Sequence, residues 1–217
     1  MFHLAVLVAA LSAGTPFLSP GTYTYSASLG GAPTGTSTLR VERDGASTKI
    51  DETAQGSLDG MQMSATDALE IASDLAPTQY NGSYTAGPNT QAVTAALSSD
   101  SATVVGPGGQ TQTIALPQDV KHFVVIEPGL VAGLFALPAQ MQAWNDGTVL
   151  AIAPAYGRAE PLPASSQSPP RPAGVPATDV PLSFGGQLPF TIWYDPATFV
   201  PDQIVVPSQN VVVTRTR

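Results

Sequence analysis

The stretch TLRVERDGASTKIDETAQGSLDGMQM, residues 38–63, carries two hairpin signals in close succession. Asp44-Gly45 and Asp59-Gly60 are dipeptides typical of two-residue β-turns, because glycine reaches a positive φ there without steric cost. Hydrophobic and polar residues alternate around these turns, as at Leu39 and Val41, which is the pattern of a strand with one buried face. The stretch therefore predicts three consecutive antiparallel strands joined by tight turns.

The same alternation continues over most of the chain after Pro20, beginning with a strand that contains Tyr23 and Tyr25. Turns rich in Gly, Pro, Asn and Asp separate the alternating segments. Further strands are predicted at residues 78–84, 91–97, 102–105, 110–116, 148–153, 180–184, 187–194, 199–206 and 204–214. This pattern predicts a mainly β fold, in which one antiparallel sheet curls into a half-barrel, within a single domain that covers residues 20–217.

One segment has a helical period instead. Between Pro128 and Trp144 the apolar residues recur at spacings of three and four, which predicts an amphipathic helix. Pro128 suits the first turn, Pro138 is expected to kink or split the helix, and Asn145-Asp146-Gly147 is expected to end it. A lone apolar helix in a sheet protein normally covers the concave face of the sheet. The apolar stripe consists of Leu130, Leu134, Leu137, Met141 and Trp144.

The amino-acid composition excludes several kinds of binding partner and of chemistry. Charged residues make up only 11% of the chain, against the quarter that is usual, and the net charge is −8. Nucleic acids and anionic membranes are poor partners for such a chain, because both attract Lys and Arg. There is no cysteine, which excludes disulfides, thiolate nucleophiles and a lipid-modified cysteine.

The N-terminal residues indicate where in or outside the cell the protein is located. Leu4–Leu11 is a short apolar segment followed by small residues, so residues 1–14 are predicted to be a signal peptide. An exported protein, periplasmic or extracellular, is therefore expected. No later segment is long and apolar enough to span a membrane. A Pro-rich stretch at residues 154–181 is predicted to be an extended surface loop inside the domain.

The sequence offers no catalytic motif, no metal-binding motif and no cofactor motif. After the leader His122 is the only histidine, and it is equally suited to a capping or packing role. Asp51-Glu52 is the first group of carboxylates, and its two side chains are expected to point to opposite faces of a strand. Asp67, Glu70 and Asp74 form a second, loose group. A hydrolase would need two of these carboxylates to converge.

The stretch PFTIWYDPATFVPDQIVVPSQN, residues 189–210, is rich in aromatic residues and raises the question of a binding site. Trp193 and Tyr194 are suited to line a ligand surface. Asp195-Pro196, however, is typical of a tight turn, because the Asp side chain accepts hydrogen bonds from nearby backbone amides and Pro fixes φ. The stretch therefore predicts a hairpin corner.

The whole layout resembles exported bacterial half-barrel proteins with the lipoprotein-carrier (LolA/LolB-like) fold, and similar uncharacterised families. The features that carry the resemblance are the leader, the opening Gly21-x-Tyr23-x-Tyr25 strand, the long hairpins, the single helix and the closing Trp-Tyr-Asp-Pro turn. The resemblance implies that acyl chains are held between a curved sheet and a helical lid. The absence of a lipobox cysteine departs from the LolB pattern and implies a soluble form.

The sequence thus favours a non-enzymatic binding module of the cell envelope that holds an apolar or lipid-like ligand between the sheet and the helix. Two alternatives stay open: a structural or protein-interaction domain with a filled core, and a carboxylate-dependent hydrolase. Residues expected to line the ligand site are Tyr23, Tyr25, Met61, Met63, Leu130, Leu134, Leu137, Met141 and Trp144.

Overall fold

The structure is a computed structural model that describes residues 17–58, 60–167 and 169–216. The described residues form one open sheet of 15 strands and one α-helix, α1, at Ala132–Trp144. This confirms the predicted mainly β fold with one helix. The predicted leader lies outside the described residues. The strands are β1 Gly21–Leu29, β2 Ala32–Asp44, β3 Ser47–Leu58, β4 Met61–Ile71, β5 Pro77–Ala86, β6 Asn89–Leu97, β7 Ser101–Val105, β8 Thr111–Ala115, β9 Phe123–Val125, β10 Thr148–Ala153, β11 Arg158–Ser165, β12 Val180–Phe184, β13 Phe190–Tyr194, β14 Pro201–Val206 and β15 Val211–Thr216.

The strand order follows from successive hairpins. From β1 the chain proceeds outward, strand by strand, to β8 at one edge, whereas β15 pairs with the other side of β1 and the order continues back from β14 to β9. Neighbouring strands are antiparallel except β9 and β10, which are parallel. The helix α1 connects these two parallel strands, because a parallel pair requires a crossover connection.

The helix lies inside the curl of the sheet. It contacts β3 and β4 in one half of the sheet and β13 and β14 in the other. At the far edge, β9 contacts β5, so the sheet wraps well around the helix without closing. One consequence is a continuous hydrophobic core between the helix and the concave face, with Ile50, Leu69, Leu137 and Ile192 fully buried.

Two facing glycines let the neighbouring strands β2 and β3 approach each other closely. Gly35 in β2 lies opposite Gly56 in β3. A Cβ atom on Gly35 would lie 2.7 Å from the backbone oxygen of Gln55, and one on Gly56 would lie 2.5 Å from that of Thr34. Only residues without a side chain fit here, because the two backbones approach each other directly.

Several sequence predictions need correction. The stretch 154–181 is not a loop throughout, because it contains a short 3-10 turn at Pro154–Tyr156 and then β11. The single strand predicted at residues 204–214 is wrong, because a 3-10 turn at Pro207–Gln209 and a left-handed residue, Asn210, divide it into β14 and β15.

The helix also differs from its prediction. It begins at Ala132 rather than near Pro128, and it continues through Pro138, which is buried inside it. The predicted end is confirmed, since Asn145 adopts the left-handed conformation that terminates a helix. Burial extends around most of the helix instead of following one stripe, because Phe135 and Gln140 are about as buried as Leu137. A helix that is buried on nearly all sides has this composition.

Candidate functional site

The concave face of the sheet is the candidate site, and the strand register defines its rows. Residues that pair directly across antiparallel strands share a face. In the β3–β4 hairpin the inward rows are Ile50 with Leu69, Glu52 with Asp67, Ala54 with Ala65, and Gly56 with Met63. The inward side chains therefore change along the hairpin from large and apolar, through acidic, to small, and the last row adds the large apolar Met63 opposite Gly56.

The space between the helix and the sheet is filled. Phe135, Ala136, Leu137 and Ala139 of the helix are at most 1% exposed. On the sheet side, the Tyr23 ring packs against Phe135 with the ring centroids 4.8 Å apart. Side chains with almost no solvent-accessible surface are packed closely on all sides, so no cavity for a ligand lies beside them. No ligand fits between α1 and the strands in this conformation.

The N-terminus of α1 is fixed by a carboxylate from a distant strand. Glu52 Oε2 accepts hydrogen bonds from the backbone amides of Val131 at 2.8 Å and Ala132 at 2.7 Å. The Ser37 hydroxyl donates to the other oxygen of the same carboxyl group. The first amides of a helix have no partner within the helix, and a negative group stabilises that end. Glu52 therefore acts as a helix cap supplied by β3.

Beside Glu52 lies a group of buried polar side chains that the sequence did not predict. Tyr80 and Tyr84 of β5 hydrogen-bond to each other through their hydroxyl groups, above Gly82. Asp67 pairs with Gly82 in the register and is 6% exposed. Glu127, from the segment after β9, accepts a hydrogen bond from the backbone amide of Ala155.

Burial controls the charge of this group. Burial, and then the neighbouring Glu52, raise the pKa of Asp67 to about 8, whereas a hydrogen bond from Tyr80 lowers it in part. Burial raises the pKa of Glu127 to about 7 and also raises that of Glu52. Among the described residues, Asp67 Oδ1 and Glu127 Oε2 have no hydrogen-bond partner. Asp67 is thus protonated at neutral pH, since two ionised carboxylates facing each other in a sheet would repel.

The acidic group does not have the features of a hydrolase site. Of the carboxylates singled out in the sequence, the structure brings together Glu52 and Asp67, while Asp51 and Glu70 lie on the opposite face of the sheet. Glu52 is occupied by the helix amides and both carboxyl groups are buried, so no cleft admits a substrate between them. Within the described ranges, no group of Asp, Glu and His is arranged to hold a metal ion.

The other end of α1 is fixed by polar contacts as well. Trp144 Nε1 donates to the backbone oxygen of Asp74 at 2.9 Å, and Gln140 donates to that of Leu75 at 3.0 Å. His122 stacks on the Trp144 ring with a centroid distance of 4.2 Å and pairs with Asp146 at 2.5 Å. His122 therefore has the packing role that the sequence left open.

Beyond the N-terminus of α1, none of the described residues covers the concave face of the sheet. Met61 is 55% exposed, Met63 45% and Leu29 39%, although all three stand on the inward side of their strands. Small, half-buried residues form the floor between them. We call this region the apolar trough; its floor residues are Ala27, Gly35, Ala54, Gly56, Ala65, Ala86 and Val213.

The predicted lining residues divide between core and trough. Tyr25, Leu130, Leu137 and Met141 are buried in the core, and the Tyr25 hydroxyl donates to the backbone oxygen of Pro201. The half-buried ones are Tyr23, Leu134 and Trp144. Only Met61 and Met63 stand in the uncovered region. The predicted residues thus do not surround one space.

The aromatic stretch at 189–210 forms a hairpin, as predicted, and its Trp193 is covered rather than open. Trp193 lies on the outward face of β13 and is 3% exposed. The guanidinium carbon of Arg171 sits 4.7 Å from the Trp193 ring centroid. Arg171 also donates to the backbone oxygens of Pro176 and Asp179. The connection between β11 and β12 is therefore anchored on the convex face.

Comparison with known proteins gives no relative. No family model, no curated protein and no solved structure matches the chain. Among the described residues, the structure contains no helix with the length and apolar character needed to cross a membrane.

Proposed function

We propose that the protein is a non-enzymatic binding module that holds a lipid-like acyl chain in the apolar trough. The observation that carries the proposal is the exposure of Met61, Met63 and Leu29 on the concave face. Large apolar side chains that cluster on an exposed surface typically mark a binding site. The site expected between the helix and the sheet is thereby moved to the neighbouring, uncovered part of the same face.

The shape of the trough supports a narrow ligand. Apart from Val213, its floor consists of Gly and Ala, and the facing pair Gly35 and Gly56 brings two backbones into direct contact. The register carries this floor from Val213 in β15 across to Ala86 in β5. Six strands at about 4.8 Å spacing make a trough of roughly 24 Å, which is enough for a long acyl chain lying across the strands.

The chemistry of the trough supports an apolar ligand. Its floor and its rim at Met61, Met63 and Leu29 contain no charged side chain. The nearest acid of β4, Asp67, is neutral at pH 7 because its pKa is raised to about 8. Methionine side chains are flexible and polarisable, so they adapt to alkyl chains of different shape. Export to the periplasm or beyond and the resemblance to lipoprotein carriers stay predictions that belong to the same proposal.

The test measures the binding of a long-chain saturated fatty acid to the wild-type protein and to two matched variants. Tryptophan fluorescence and equilibrium dialysis detect the binding. Ala65→Trp places a bulky ring on the trough floor. Thr66→Trp places the same ring one residue away, on the convex face of the same strand, and is the control. Thermal melting of both variants checks that the fold is retained.

The proposal expects binding by the wild-type protein and by Thr66→Trp, and loss of binding by Ala65→Trp. Equal binding by all three would place the ligand elsewhere and refute the trough as the site. No uptake by the wild-type protein would refute the lipid-binding function and favour the alternative of a structural or protein-interaction domain, which the filled core beneath α1 supports.

A further inference from the structure

The two edges of the sheet differ in their protection. At one edge, β9 is buried, with Phe123, Val124 and Val125 at most 4% exposed. At the other edge, β8 is exposed along almost its whole length. An exposed edge presents unpaired backbone groups, and natural proteins normally protect it with lysine, proline or a bulge. The strand β8, Thr-Gln-Thr-Ile-Ala, has none of these, and its pairing with β7 is regular.

The hydrogen bonds at both ends of β8 show which backbone groups are free. Gly106 donates to the oxygen of Gln110 at 2.8 Å, and Leu116 donates to that of Asp100 at 2.7 Å. Because the bonding direction alternates along an antiparallel strand, Gln112 and Ile114 face β7. The backbone groups of Thr111, Thr113 and Ala115 therefore point away from the sheet, as a row of donors and acceptors that no other described strand pairs with.

We propose that β8 pairs with β8 of a second copy of this chain, antiparallel and about a two-fold axis, so that the two sheets become continuous. In this register Thr113 lies opposite Thr113 of the second copy, and Thr111 lies opposite its Ala115. All three residues have outward backbone groups, so each pair exchanges hydrogen bonds. Facing threonines are also a favourable cross-strand pair.

The uncharged segment around β8 allows a second copy to be the occupant. The chain carries a net charge of −8, which opposes self-association in general. From Ser101 to Gln118, however, there is no charged residue, so the pairing surface itself is free of like-charge repulsion. Pairing of two five-residue strands buries less than the roughly 1,000 Å² of a stable interface, so a weak, concentration-dependent dimer is expected.

Sedimentation velocity of the full chain over a dilution series tests the inference, with variants at the centre of the pair. Thr113→Pro removes the outward amide without touching the hydrogen bonds to β7, and two lost hydrogen bonds are expected to weaken dimerisation roughly thirtyfold. Thr113→Lys and Thr113→Glu each place like charges opposite one another and are expected to weaken it roughly fivefold. An equimolar mixture of the two is expected to dimerise at least as well as the wild type.

Thr103→Lys is the matched control, because Thr103 lies beside Thr113 on the same exposed face but in β7, one strand inside the edge. It is expected to leave dimerisation close to the wild-type level. A wild-type protein that stays monomeric at every concentration would overturn the inference. So would equal weakening by Thr103→Lys and Thr113→Lys, or a Lys–Glu mixture that associates no better than either variant alone.

Discussion

The cap that Glu52 provides to α1 can be tested by shortening and by isosteric replacement of the side chain. In Glu52→Ala, the backbone amides of Val131 and Ala132 lose their shared acceptor, and both are buried. Each buried donor left without a partner costs about 1–3 kcal/mol. Partial access of water to the vacated space reduces the sum, so we expect a loss of about 3 kcal/mol in the free energy of unfolding.

Glu52→Gln separates hydrogen bonding from charge. Its amide oxygen still accepts from Val131 and Ala132, and its NH₂ group donates to the Ser37 hydroxyl in place of the present bond. The replacement removes the negative charge at the helix N-terminus, and burial, which raises the pKa of Glu52, already opposes that charge. The expected loss is therefore less than about 1 kcal/mol, the size of a weakened charge–dipole interaction.

Urea unfolding at neutral pH, followed by circular dichroism, measures both variants. Glu42→Ala is the control, because Glu42 is exposed on the neighbouring strand and its surface ion pair with Arg40 is worth about 0–1 kcal/mol. A loss below about 1 kcal/mol in Glu52→Ala would refute the cap. Equal losses in Glu52→Ala and Glu52→Gln would refute the account of its hydrogen bonding.

Three further predictions concern other parts of the fold. Gly133→Ala is expected to lower the free energy of unfolding by more than about 2 kcal/mol, although alanine favours helices, because the new Cβ would lie 1.7 Å from the backbone oxygen of Val125. Urea unfolding measures this loss. Gly147→Ala is the control, because the space around Gly147 is open. The stability of the wild-type protein is expected to fall as pH rises from about 4 to about 8, because the folded state holds the Asp67 proton more tightly than the unfolded chain does. Asp67→Asn is expected to make this fall smaller. Urea midpoints over a pH series measure the difference. Arg171→Ala is expected to speed proteolysis between β11 and β12, because it removes the contact with Trp193 and two backbone hydrogen bonds, and mass mapping of the fragments locates the cuts.

Each of these predictions has an opposite outcome. Equal stability of the Gly133→Ala and Gly147→Ala proteins would show that the helix does not approach β9 as closely as described. An unchanged pH profile in Asp67→Asn would assign the pH dependence to other groups, of which Glu127 has the same sign. Unchanged cleavage in Arg171→Ala would show that the loop is held by other contacts.

Much of the sheet was predictable because its turns are local. The Asp44-Gly45 and Asp59-Gly60 dipeptides and the period-two alternation predicted the long hairpins, and β10 and β12 have the predicted bounds. The strand β11 was hidden by its prolines. The backbone nitrogen atoms of Pro161 and Pro163 point away from β10 and towards the β12 side of the strand. Pairing with β12 begins only at Ala164, so the missing amide hydrogens of the two prolines cost no hydrogen bond in the sheet.

The site was less predictable because it depends on contacts between distant segments. Glu52 caps a helix that begins 80 residues later in the chain, and no local pattern signals that contact. Glu127 joins Asp67 only because β9 folds back against β5. The helical stripe at Leu134 and Trp144 suggested a ligand-facing side, whereas the sheet surrounds the helix and buries nearly all of it. The exposed inward methionines, Met61 and Met63, were found from the alternation of the strand alone.

The most direct measurement of the proposed function is native mass spectrometry of the full chain, isolated gently from its own source and again after incubation with a long-chain fatty acid. The account predicts a discrete added mass that organic solvent releases, that is identified as a lipid, and that is absent from Ala65→Trp but present on Thr66→Trp. A bare protein mass in every preparation would contradict it and would leave the trough without a lipid ligand.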